Sequence, residues 1–175
     1  MSNNINIKFP DGSVRSYEKG VTGFEIAQSI SEGLARMALS IKVDHEVWDL
    51  NRENTKDSEV KLLTWRDEEG KSTFWHSSAH LMAEALEAIY PGIKFGIGPS
   101  IDNGFYYDVD FGNREFDSAD LEKVEKKMLE IARHKNQYIR EPKSKKEAIS
   151  YFNDKGDEYK LELLEDLEDG QITLY

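Results

Sequence analysis

The stretch Ile5-Asn-Ile-Lys-Phe-Pro-Asp-Gly-Ser-Val-Arg-Ser-Tyr-Glu-Lys-Gly-Val-Thr-Gly-Phe-Glu25 carries three structural signals in succession. Residues 5–9 alternate apolar and polar, which places one set of side chains on each face of a strand. Asp11-Gly12 is a turn dipeptide, and residues 14–17 resume the alternation, so the chain opens with a β-hairpin. Thr22-Gly-Phe-Glu25 then has the spacing of a capping box. In it the Thr hydroxyl satisfies one orphan amide of a helix start and the Glu carboxylate satisfies another.

Downstream of that cap, Ile26, Ile30, Leu34 and Met37 recur at helical spacing, and Gly33 is expected to break the helix near its last turn. Two β-type runs, residues 40–47 and 60–65, close the segment. The order β-β-α-β-β within one short segment resembles a β-grasp, ubiquitin-like module and assigns it to residues 1–64. Residues 65–72, which include the polar Asp67-Glu-Glu-Gly70, read as a linker, and residues 73–175 read as a second domain. The expected class is α+β.

In the second domain Trp75, Ala79, Met82, Leu86 and Ile89 form an amphipathic helix stopped by Pro91-Gly92. Strands are expected at residues 95–97 and 105–111, with a tight turn at Asn103-Gly104. A further helix carries Leu121, Val124, Met128 and Ile131 on one face, and Arg133, His134 and Lys135 lie at its C-terminal end, where the helix dipole favours cations. Ser144-Lys-Lys-Glu147 is a second capping box, opening a helix to about residue 153. Residues 172–175 have strand character with no partner strand evident, so a domain cut short is expected.

Composition removes several classes of function. The 175 residues hold 23 basic and 34 acidic side chains, a net charge of −11, which argues against sequence-blind binding to phosphate backbones. Residues 1–64 hold 8 basic and 10 acidic side chains, so the acidity lies in the second domain. The chain has no cysteine, which excludes disulfides, thiol nucleophiles and Cys-type zinc sites within it. No apolar run approaches the roughly 20 residues of a membrane helix, and no signal peptide opens the chain, so the expected location is cytoplasmic. Gly96-Ile-Gly98 is only a fragment of a dinucleotide fingerprint and no phosphate-binding loop occurs, so no nucleotide cofactor is expected.

Two of the four histidines, His76 and His80, stand four residues apart, which puts both rings on one helix face. That geometry suits a metal ion, or a water whose proton is to be moved near neutral pH; it equally suits two polar residues beside a core stripe. A zinc-protease reading is weaker, because Ser77 stands where that motif has Glu. Ser77 and Ser78 lack a carboxylate to orient a triad. Tyr107 falls on a strand with Phe105 and Val109, and Lys160, beside Tyr159, is either a solvated charge or a cation for a developing oxyanion. Lys143, Lys145 and Lys146 form the most basic local cluster. His45 and His134 read as surface residues.

These pieces together resemble the N-terminal region of threonyl-tRNA synthetases. The resemblance is carried by Phe9-Pro-Asp-Gly-Ser13, the Asp-Glu-Glu-Gly linker, His76-Ser-Ser-Ala-His80-Leu, Gly96-Ile-Gly-Pro99 and Ile101-Asp-Asn-Gly-Phe-Tyr-Tyr-Asp108. It implies a ubiquitin-like TGS module followed by the α/β editing domain that hydrolyses seryl-tRNA(Thr). In that reading His76, His80 and Lys160 are catalytic groups of the editing cleft and Tyr107 binds substrate. The family's cleft is completed by an Asp and a Cys-x3-His element beyond the last residue here. The editing domain is therefore expected to be incomplete, with little or no activity alone. The resemblance further implies the acceptor end of tRNA(Thr) as partner, a homodimeric parent and a monomeric fragment. ATP, magnesium and zinc are assigned to the synthetase core alone. Two competing readings are a non-catalytic regulatory or RNA-binding β-grasp fragment, and a metal-dependent hydrolase built on His76 and His80.

Overall fold

The computed structural model describes residues 3–168 and 172–174 and divides the chain into two compact units, one up to Trp75 and one from His76. In the first unit, β1 (Asn4–Lys8) and β2 (Val14–Glu18) pair antiparallel as the expected hairpin. Ile5 and Ile7, two residues apart in β1, are the buried positions of its alternating pattern. A short strand β3 (Val21–Thr22) leads into α1 (Gly23–Ile30), and the Thr22–Glu25 capping box forms in full.

The helix is interrupted at Ser31, not at Gly33. Ser31 is extended, ends α1, and accepts a hydrogen bond from the amide of Leu34 at 3.0 Å, which starts α2 (Glu32–Met37). This break rotates the second helix, so the expected single stripe does not hold. Ile26 is fully buried, whereas Ile30 and Met37 are 39% and 60% exposed.

The run at residues 40–47 is likewise two strands, β4 (Ala38–Val43) and β5 (Glu46–Trp48). Asp44 between them adopts a left-handed conformation (φ 54°), which Asp tolerates better than most residues. Its carboxylate accepts from the amide of Glu59 at 3.0 Å. Strands β6 (Glu53–Asn54) and β7 (Ser58–Thr64) complete the unit. The sheet order is β2-β1-β7-β4-β5, with β1 parallel to β7 and the other neighbours antiparallel, and β3 pairs separately with β6. First and last long strands side by side, with the helices between them in sequence, make this the expected β-grasp. Its core is built from Ile5, Ile7, Val21, Ile26, Ile41, Val43 and Val60, each contributing roughly 1.5–3 kcal/mol by burial.

Residues 68–72, read from sequence as linker, belong to α3 (Glu68–Ile89), and the division between units falls inside this helix. A polar stretch is still helix-competent here. Asp67 accepts hydrogen bonds from the amide and hydroxyl of Thr64, and Glu68 and Glu69 complement the helix N-terminus. Gly70 is required by close approach, because a Cβ there would stand 2.3 Å from the carbonyl oxygen of Thr64.

In the second unit the strands are short. β8 (Lys94–Phe95) pairs with β11 (Val109–Asp110), and β9 (Ser100–Ile101) with β10 (Gly104–Phe105). The single strand expected over residues 105–111 is thus two, with residues 106–108 irregular between them. α4 (Ser118–His134) has its own capping box, Asp117 with Asp120, and ends at Lys135 in a left-handed conformation. Val124 and Ile131 of α4 pack with Ala85, Leu86 and Phe95.

The C-terminal part comprises β12 (Glu141–Lys143), α5 (Lys145–Lys155), α6 (Glu158–Glu165) and β13 (Ile172–Leu174). β13 does have a partner, β12, which its Pro142 concealed in the sequence. Ala148, Leu164 and Ile172 form a small separate core. Among the described residues no helix is long and apolar enough to cross a membrane. Residue 175, the last of the expected terminal strand, lies outside the described residues.

Candidate functional site

The second unit contains a cleft of about 580 Å³, whose lining includes His80, Lys94, Tyr107, Tyr138, Asp157 and Lys160. His80 reaches it from α3, where His76 stands one helical turn earlier. Their Nε2 atoms are 3.1 Å apart and the rings are nearly perpendicular. His76 is exposed and does not itself line the cleft; His80 is half-buried. Burial, then the charges of His76 and Lys160, push the His80 imidazole down to about 4, so it is neutral at pH 7.

Tyr107 lies in the irregular segment between β10 and β11. The segment is held by two backbone hydrogen bonds, from Gly96 to the carbonyl of Asp108 at 2.8 Å and from Asp108 to that of Ile97 at 2.9 Å. The two glycines exist for this approach. A Cβ on Gly96 would stand 3.0 Å from that of Asp108, and one on Gly98 would stand 2.5 Å from the Tyr107 ring. The sequence fragment Gly96-Ile-Gly98 is therefore a seat for Tyr107 and not a phosphate loop. The ring also packs edge-on to Phe95, 5.4 Å between centroids. Burial first, and Asp157 second, raise the Tyr107 hydroxyl above its ordinary pKa.

Lys160 sits in the first turn of α6, whose N-cap is Asp157. Its ammonium donates to the carbonyl of Gly96 at 2.7 Å and lies 5.7 Å from the Tyr107 ring centroid. Burial lowers its pKa, opposed by Asp157. Of the two sequence readings of Lys160, the solvated surface charge is the one the structure replaces.

A second cavity of about 370 Å³ is lined by the same His80, Tyr107, Phe152, Lys155 and Lys160 and beyond them mostly by apolar groups such as Leu163, Leu164 and Ile172. His80, Tyr107 and Lys160 thus belong to a wall shared by two chambers, one ringed by charges and one mostly apolar. A neutral imidazole, a phenol and a half-buried ammonium on one wall can orient a water against a polar ligand and stabilise a developing negative charge.

Sequence reasoning missed Tyr138, Phe152, Lys155 and Asp157. Only Asp157 had a usable signal, as a helix N-cap three residues before Lys160. Tyr138 follows α4 in an irregular stretch, with its ring 6.0 Å from that of His80. Two lysines of the basic cluster are locally committed. Lys143 pairs with Glu141 at 2.9 Å, and Lys145 donates to the carbonyls of Glu165 and Leu167 at the end of α6. His45 and His134 are exposed, in a turn and at a helix end. Among the described residues no group of three His, Cys, Asp or Glu side chains is gathered as for a metal ion.

Residues 5–64 match the TGS domain family. Over 171 residues, 98% of its length, the chain is 66% identical to a threonine–tRNA ligase of Cytophaga hutchinsonii and 56% identical to one of Parabacteroides distasonis. It is 47% identical over 169 residues to a threonine–tRNA ligase of Flavobacterium psychrophilum. In each case it spans 26% of the relative, about a quarter of the length of these proteins. The chain is thus similar, over nearly its whole length, to the N-terminal region of threonine–tRNA ligases.

Proposed function

We propose that this chain is part of a cytoplasmic threonine–tRNA ligase that charges tRNA(Thr) with threonine using ATP, and that residues 76–175 belong to its editing domain for seryl-tRNA(Thr). The ligase reading is supported by the similarity to proteins of that name. The observation that carries the editing reading is the wall formed by His80, Tyr107 and Lys160, with His76 in contact behind it. Editing also answers a physical need. A pocket that accepts threonine excludes serine poorly, because the missing methyl is worth only ~1–3 kcal/mol.

In this reading the terminal adenosine of tRNA(Thr) enters the cleft, whose size is in the range of small-molecule sites. Tyr107 holds the adenosine. A water held by the neutral imidazole of His80, itself positioned by His76, attacks the ester carbonyl carbon. Lys160 donates to the carbonyl oxygen as it gains negative charge. The bond to the ribose oxygen breaks, that oxygen takes the proton, and serine leaves. With a pKa of about 4, His80 orients water better than it retains the proton, so the ribose is the final proton acceptor. ATP, magnesium and zinc belong to the synthetase core, through which the parent forms a homodimer.

The test offers seryl-tRNA(Thr) and threonyl-tRNA(Thr) to this chain and to a full-length ligase containing it. The full-length protein is expected to hydrolyse the seryl ester selectively. Replacing both His76 and His80 by Ala in it lowers that rate about 10²-fold or more, with threonine charging measured as a control for folding. Deacylation unchanged by the double substitution would overturn the editing reading and leave a non-catalytic, RNA-binding role.

A further inference from the structure

We infer that the exposed run of residues 132–142 is the track by which the single-stranded 3′ end of a tRNA reaches the cleft, with Arg133 and Lys135 on its phosphates and the Tyr138 ring under the base that precedes the terminal adenosine. The identity of the strand rests on the proposed editing role; the surface is given by charge and exposure. Residues 132–146 hold six basic side chains and one acidic one, in a chain whose net charge is −11. Every residue from 132 to 142 is exposed, and the large side chains of Tyr138 and Ile139 are 42% and 70% exposed. Cations interleaved with an open aromatic ring suit a flexible phosphate strand whose bases need a stacking surface.

Part of this charge is not consumed locally. Among the described residues no ion pair engages Arg133, Lys135 or Lys146, whereas Lys143 is paired with Glu141 and Arg140 donates to the Thr173 hydroxyl. Lys135 caps α4 in a left-handed conformation (φ 54°), where Gly is usual, so a long side chain is kept there at a cost. The helix dipole accounts for a cation at the end of α4 but not for one in that conformation. Tyr138 follows three residues later, at most about 11 Å of extended chain from Lys135. A phosphate on Lys135 and a base on Tyr138 then belong to neighbouring nucleotides. Tyr138 also lines the cleft, with its ring 6.0 Å from that of His80, so a base stacked on it continues directly into the nucleoside held inside. The acidic remainder of the chain repels phosphate and confines the strand to this track.

The experiment has two arms. In the first, this chain is titrated into an RNA oligonucleotide labelled at its 5′ end and ending in CCA, the 3′ sequence of tRNA, and fluorescence anisotropy is followed over a range of salt. Tyr138→Ala should weaken binding about tenfold and Tyr138→Phe should not. Arg133→Ala combined with Lys135→Ala should flatten the plot of log affinity against log salt by about 1.4, at about 0.7 per phosphate contact. Each variant is checked for folding by circular dichroism. No binding, or binding indifferent to these substitutions, would overturn the inference. In the second arm a full-length ligase is given seryl-tRNA(Thr) and the seryl ester of adenosine alone. The Arg133, Lys135 double variant should show a KM raised several-fold for the tRNA, with kcat and hydrolysis of the adenosine ester unchanged. Equal loss on both substrates would also overturn the inference, because the two cations would then act by holding the fold. A wild-type ligase that deacylates neither substrate would count against the editing reading, and the oligonucleotide arm would still decide the track.

Discussion

The two units of this chain are built on opposite principles. In the first, five strands share one sheet, and β-branched side chains on alternate positions meet in a closed core, with Ile7 and Ile26 wholly inaccessible. In the second, every described strand pair is two-stranded and only two or three residues long. Its aromatic side chains Tyr107 and Phe152 stand half in the packing and half in cavities. Cavity sizes follow the same division, about 180 Å³ against the sheet of the first unit and about 580 Å³ in the second. A sheet that pairs its backbone fully leaves little to bind with. A unit that closes less well keeps polar groups such as Lys160 half-buried and available.

Three measurements would break or sharpen this contrast. All three tryptophans, Trp48, Trp65 and Trp75, lie in the first unit, so tryptophan emission reports on that unit alone. The largest effect is expected from Ile7→Ala in β1, where the closed core cannot collapse around the cavity. The transition followed by tryptophan should lose about 2–5 kcal/mol. A loss below ~1 kcal/mol would mean that the first unit packs as loosely as the second.

Gly98→Ala is the counterpart in the second unit. The added methyl meets the Tyr107 ring, a displaceable side chain beside a cavity, so about 1–3 kcal/mol is expected. It should be seen in tyrosine near-ultraviolet dichroism, and loss of the Tyr107 packing signal should accompany it. An unperturbed Tyr107 would show that the glycine is not its seat.

The smallest effect concerns His80. Its folded pKa is depressed to about 4 from the ordinary imidazole value of 6.5, so its neutral state is favoured by folding. Stability from this group is therefore complete above pH ~6.5 and is lost as pH falls toward 4. Because the ring is only half-buried, solvent screening reduces the loss to about 1–2 kcal/mol. Urea titrations in the presence of a chelator should show this dependence in the wild-type chain and a flatter one in His80→Gln. Parallel curves would place the acid sensitivity elsewhere.

Much of the first unit was readable from local rules. The hairpin needs only alternation and Asp11-Gly12, and the capping boxes at Thr22 and Ser144 need only residues three apart. The break at Ser31 was not readable, because a serine ends a helix only when its hydroxyl turns to cap the next one. In the second unit His76 and His80 were legible as a pair, since four residues on a helix are one turn. Their company was not. Tyr107 was assigned to a regular strand, and Lys160 had no local feature that set it apart from the surrounding charges.

The sequence alone determined the α+β class, the β-grasp order and the shared helix face of the two histidines, because each follows from contacts within a few residues. Only the tertiary structure decided that β1 lies parallel beside β7, that β13 finds β12, and that Lys160 reaches the carbonyl of Gly96, 64 residues away, beside Tyr107. Pairings of that range depend on which surfaces the whole chain buries together, and no window of sequence contains both partners.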